Sequence, residues 1–120
     1  MDSCTKFEDY ANYAKELGQT AIASTEHGKP MGWASKKMYC DEIGIKFLMG
    51  VEIYLTETLA ENVRDNYHTI LIAKNYDGVK ELLNAVSVSC QEDHFYYTNR
   101  MTFDEFFKLS SNVIKISACL

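Results

Sequence analysis

The chain has 120 residues, 47% of them apolar and 24% charged, with a net charge of −5 at pH 7. That is the balance of a soluble globular protein with one core and no room for a second domain. No apolar run nears the ~18 residues that a membrane span needs, and an acidic excess is no footprint for gripping a nucleic-acid backbone directly.

Cys4, Cys40, Cys90 and Cys119 lie far apart with no C-x-x-C pair, which argues against a zinc ribbon and for reduced intracellular thiols. No basic and apolar leader opens the sequence, so a cytoplasmic location is expected.

Thr5 and Glu8 have the spacing of a capping box, and Phe7, Ala11, Ala14 and Leu17 recur with helical period before Gly18, which predicts a helix over 6–17. The organising stretch follows: Ala21-Ile22-Ala23-Ser24-Thr25-Glu26-His27-Gly28. It is too short for a helix and lies between glycine breaks, so a strand is predicted over 20–24 that delivers His27 to a loop. Loops leaving the carboxyl ends of parallel strands carry chemistry in α/β proteins, which makes His27 a candidate ligand; a capped turn is the other reading.

A second helix is predicted over 31–43, stopped by Gly44, and a strand over 46–55 in which Glu52 interrupts an apolar run and needs a partner. After a polar loop, 56–66, comes a β-prone run over 67–73 with His68 near its start. Asn75, Tyr76, Asp77 and Gly78 turn the chain into a helix over 79–90, with Val79, Leu82, Leu83 and Val86 on one face.

Residues 91–100 read as a polar, aromatic loop with one short extended piece. Thr102 and Glu105 form a second capping box and start a short helix bearing Phe103, Phe106, Phe107 and Leu109. A strand over 112–120 brings Cys119 to its exit. Alternating strands and helices predict parallel pairing with right-handed crossovers. Ending on a strand suggests a cut sheet, whose open edges predict a homodimer or a swapped assembly.

Asp2, His27, Glu52, His68 and Cys119 each fall on a different element, the signature of a site assembled from strand ends. The mixed imidazole, carboxylate and thiolate set suits Zn2+, Mn2+ or Fe2+. Each has a plainer alternative: a satisfied core histidine for His68, an ion-pair member for Glu52, an apolar filler for Cys119, a helix-start charge for Asp2.

Five segments sharpen that choice: Ala14-Lys15-Glu16-Leu17-Gly18, Thr25-Glu26-His27-Gly28, 44–54 with Gly50-Val51-Glu52, Tyr67-His68-Thr69-Ile70-Leu71-Ile72-Ala73-Lys74-Asn75, and Ser117-Ala118-Cys119-Leu120. In this order they resemble the PHP (polymerase and histidinol phosphatase) domain that opens bacterial DNA polymerase III alpha subunits. Phe95-Tyr96-Tyr97 with Arg100 resembles the polymerase branch of that family. The resemblance implies part of a distorted (β/α)7 TIM-like barrel. It also implies a divalent-metal cluster holding Asp2, His27, Glu52, His68 and Cys119, and hydrolysis of a phosphoester.

Three departures stand out against the family pattern. The family's His-x-His before Asp2 and its later Asp-x-His are not in this sequence, and Glu26 stands where the family usually has aspartate, one methylene longer beside His27. Weak metal binding and no efficient phosphoesterase activity are therefore expected of these 120 residues. The resemblance implies DNA contact only through the rest of a polymerase, and other replisome subunits as partners. A non-catalytic scaffold and a free-standing phosphoesterase are the alternatives.

Overall fold

The computed structural model describes residues 4–60 and 63–118. In chain order they form α1 (Phe7–Glu16), β1 (Ala21–His27), α2 (Trp33–Ile43), β2 (Lys46–Thr56), β3 (Tyr67–Ala73), α3 (Tyr76–Ser89), β4 (Arg100–Thr102), α4 (Phe103–Lys108) and β5 (Val113–Ser117). The expected α/β class is observed, as a five-stranded mixed sheet.

β2 is the hub. Its 11 residues outrun any neighbour, so one edge takes two partners in succession. β1 pairs in parallel with 46–52, and β4 pairs in parallel with 54–56. The other edge holds β3, which runs antiparallel, and β5 is antiparallel to β3 in turn. Uniformly parallel pairing is therefore not found: β3 runs against the other strands. The cause is local. A parallel neighbour needs a crossover of a dozen or more residues, and the connection from Thr56, where β2 ends, to Tyr67, where β3 begins, is shorter than that.

Strand alternation divides the sheet into two faces. Phe47, Val51, Ile53 and Leu55 of β2, with Leu71, Ala73 and Val113, pack into one cluster with Ala11, Ala14, Cys40, Leu82, Ala85 and Val86 of the helices. On the opposite face Ile70 and Ile72 stand in register with Ile116 and Ile114, and both of the latter are exposed. His27, Glu52 and His68 share this second face.

The helix ends show which capping signals operate. Thr102 and Glu105 exchange both bonds of the box, Glu105 N to Thr102 Oγ1 at 3.2 Å and Thr102 N to Glu105 Oε2 at 2.8 Å. At α1 the N-cap is Lys6, with no side-chain cap hydrogen bond. That start places Glu8 at the second helical position, one short of where a capping box needs it, so the Thr5–Glu8 box does not form the cap. α3 begins earlier than its apolar period indicates, because the Asn75 side chain accepts from Gly78 N at 2.9 Å and turns the expected turn residues into a first helical turn.

Gly78 is also a point of close approach. A Cβ there would lie 2.4 Å from the Asn112 carbonyl oxygen, a backbone atom with little freedom to yield. Alanine in a helix ordinarily gains about 1 kcal/mol over glycine. Here the clash reverses the sign, and Gly78→Ala is expected to cost about 1–3 kcal/mol in urea unfolding.

No helix among the described residues is long and apolar enough to cross a membrane.

Candidate functional site

Register brings the candidate ligands together. His27, the last residue of β1, lies directly opposite Glu52 in β2. Across the other edge Glu52 faces Ile70 and Tyr54 faces His68, so His68 is the diagonal neighbour of Glu52 on the same face. Glu52 thus sits between two imidazoles: His68 Nδ1 is 2.8 Å from Oε1 and His27 Nε2 is 3.7 Å from Oε2. The carboxylate is only 12% exposed, whereas the His27 ring is 55% exposed.

The 2.8 Å contact lies at hydrogen-bond distance without hydrogen-bond alignment, and Oε1 is a buried acceptor with no such partner. A buried acceptor without an aligned hydrogen bond is costly. Tyr54 meets the His68 ring edge-on at 4.8 Å between centroids and fixes its plane. Nothing in the sequence marked Tyr54 except its spacing of two from Glu52.

Asp2 and Cys119 lie outside the described residues. Among the described ones, no group of three or more His, Cys, Asp or Glu side chains is arranged to hold a metal ion. His27, Glu52 and His68 are therefore neighbours on one face, and not a preformed coordination shell.

Glu26 does not flank His27. Successive strand residues point to opposite faces, so Glu26 turns to the helix side, where it accepts from Ser24 Oγ and pairs with Lys36 of α2. Lys36 Nζ also donates to Ser24 Oγ at 2.9 Å. Burial lowers the pKa of Lys36, against the charge of Glu8, which raises it. The extra methylene of Glu26 is thus spent on reaching α2.

The backbone after β1 is fixed from two sides. Gly28 has φ +69°, its N–H donates to the Glu52 carbonyl at 2.7 Å, and its carbonyl accepts from Asn99 Nδ2 at 2.9 Å. Asn99 was one polar residue in a polar loop, and its sequence context carried no sign of that role.

The same 91–100 stretch holds a buried imidazole. His94 Nδ1 lies 2.7 Å from Asp93 Oδ1 and Nε2 lies 2.9 Å from Glu105 Oε1, the carboxylate that caps α4. Burial works against the charged ring, but the hydrogen bonds and charges of Asp93 and Glu105 outweigh it and raise the His94 pKa. The sign of the linkage follows. A raised folded-state pKa gives stability that is complete below the unfolded value, about 6.5, and is lost as pH rises through the folded value. Urea midpoints of the wild type and of His94→Gln are expected to differ most below pH ~6.5 and to converge in the alkaline range. A difference independent of pH would contradict the charged pair.

The sheet thus sets two imidazoles beside a buried carboxylate on a β/α frame. The chain belongs to the PHP domain family, whose model matches residues 1–120. Among curated relatives it is similar to the DNA polymerase III subunit alpha of Borreliella burgdorferi, 34% identical over 126 residues, and to that of Aquifex aeolicus, 32% identical over 133 residues. The subunit of Treponema pallidum is 29% identical over 126 residues. Each alignment covers 100% of this chain but only 11% of the relative, so the chain spans about a tenth of their length.

Proposed function

We propose that the chain is the PHP segment of a cytoplasmic, bacterial replicative DNA polymerase alpha subunit, and that its sheet is part of a distorted (β/α)7 barrel. In this reading His27, Glu52 and His68 supply ligands to a divalent-metal phosphoesterase centre, with Asp2 and Cys119 as further ligands. The observation that carries it is Glu52 Oε1, a buried acceptor lacking a hydrogen bond and flanked by two imidazoles. One carboxylate and two imidazoles fit Zn2+, Mn2+ or Fe2+.

When bound, such an ion supplies Lewis-acid polarisation of a phosphoester. The chain's own contribution is positional. Glu52 offers a fixed anionic acceptor, Tyr54 sets the plane of the His68 ring, and His27 stands opposite Glu52 at the end of β1. Similarity along the whole of this chain to one segment of alpha subunits favours the polymerase setting over a free-standing phosphoesterase. In that setting DNA and other replisome subunits are met through the rest of the parent protein. The homodimer or swapped assembly expected from open sheet edges gains no support from the relatives, and the reading does not rest on it.

A second reading is a scaffold without catalysis, in which His27, Glu52 and His68 form a structural network; the 2.8 Å approach of His68 Nδ1 to Glu52 Oε1 favours it. Metal analysis separates the two. Zinc-loaded chain, freed of excess metal by gel filtration, is expected to retain zinc weakly, to lose it on His68→Ala, and to show no enzyme-like hydrolysis of p-nitrophenyl phosphate by itself. Wild-type chain that retains no more zinc than the variant would leave the scaffold.

A further inference from the structure

We propose that Asn99 is the positioning residue that holds His27 against Glu52, an inference that rests on the metal-centre reading above. β1 ends at His27, and its ring is more than half exposed, so its place opposite Glu52 depends on the backbone beneath it. That backbone is clamped at Gly28. The N–H is tied to the Glu52 carbonyl at 2.7 Å, and the carbonyl is tied to Asn99 Nδ2 at 2.9 Å.

Asn99 is itself buried and anchored. Its Nδ2 also donates to Ser89 Oγ at 3.0 Å, and Ser89, fully buried in the last turn of α3, donates to the Val86 carbonyl at 2.8 Å. One residue later β4 pairs with β2 at Tyr54, two positions from Glu52. The amide therefore references the end of β1 both to α3 and to the strand that carries Glu52. The contact is tight: a Cβ on Gly28 would fall 2.5 Å from Asn99 Oδ1. Only a side chain with a donor at this reach serves. Aspartate would set an acceptor against the Gly28 carbonyl, and alanine would leave that carbonyl buried without a donor.

The test uses the 120-residue chain and two readouts, one of them metal-free. Amide hydrogen exchange reports the clamp. Asn99→Ala and Asn99→Asp should speed exchange at Gly28 while leaving the Leu71 amide in the β2–β3 core protected. Calorimetric zinc titration reports the ligand. Asn99→Ala should weaken zinc binding roughly ten-fold, as loss of a group that orients a metal ligand does. It should have no further effect in a His27→Ala background. Asn99→Ser, too short to reach the Gly28 carbonyl, replaces alanine if that variant unfolds.

Unchanged Gly28 exchange overturns the proposal. So does an equal loss of zinc affinity with and without His27, which would mark Asn99 as a general structural residue. Faster Gly28 exchange in a chain whose wild type takes no zinc supports the clamp and removes the metal reading beneath it.

Discussion

Replacing Glu52 by glutamine is expected to abolish zinc binding while leaving the metal-free chain at least as stable as the wild type. The two halves of this expectation share one cause. Glu52 Oε1 is buried and makes no aligned hydrogen bond, although His68 Nδ1 stands 2.8 Å away. An unsatisfied buried acceptor costs on the order of 1 kcal/mol or more, and a neutral amide of the same shape lightens that burden. Glutamine can also turn its amino group toward an imidazole nitrogen. What it cannot do is serve as an anionic ligand between two histidines, so metal affinity is expected to fall at least 100-fold, near the detection limit of calorimetry. If Glu52 were merely one member of a structural network with His27 and His68, the result would invert: zinc affinity would not distinguish the proteins, and urea unfolding would show Glu52→Gln clearly destabilised. A carboxylate kept at a stability cost is what a binding site looks like.

Arg100→Met is expected to be the most destabilising single change in the molecule, by about 3 kcal/mol. Arg100 is 1% exposed, and the guanidinium joins two loops. Nε donates to the His94 carbonyl at 3.1 Å and Nη1 donates to the Val63 carbonyl at 2.8 Å, with the charge 5.4 Å from the Tyr96 ring centroid. Methionine fills the volume but leaves both carbonyls without that donor. Domains of this kind hold only about 5–15 kcal/mol in total, so the urea midpoint should drop steeply. Arg100→Lys should recover only part of the loss, because a single ammonium cannot bridge two carbonyls as the planar fork does. A loss under about 1 kcal/mol for methionine would show that the loops are held by other contacts.

Glu52 and His68 were legible in the sequence because strand chemistry exposes them. A carboxylate inside an apolar strand demands a partner, and a period of two decides which side chains share its face. His27 was legible as the group that a short strand delivers, although β1 runs on to include it where the sequence predicted a loop after residue 24. The direction of β3 was not, since alternation of elements records their order and is silent on pairing; the clue was the short polar connection 57–66, read only as a surface loop. The first capping signal misled by one position, because Thr5 and Glu8 satisfy the spacing whether or not the helix starts beside them. Asn99 and Arg100 escaped for a different reason. Their burial is created by loops meeting from 37 to 71 positions away, as with Val63 and Gly28, and no local pattern distinguishes a polar residue that will be covered from one that will stay in water.

Whether His27, Glu52 and His68 gather one divalent ion, as proposed, can be read from zinc K-edge absorption of the loaded chain. The expected shell shows imidazole scattering from two histidines and a carboxylate oxygen, at about 2.0–2.2 Å. A shell without imidazole, or one left unchanged by His27→Ala and His68→Ala, would contradict it.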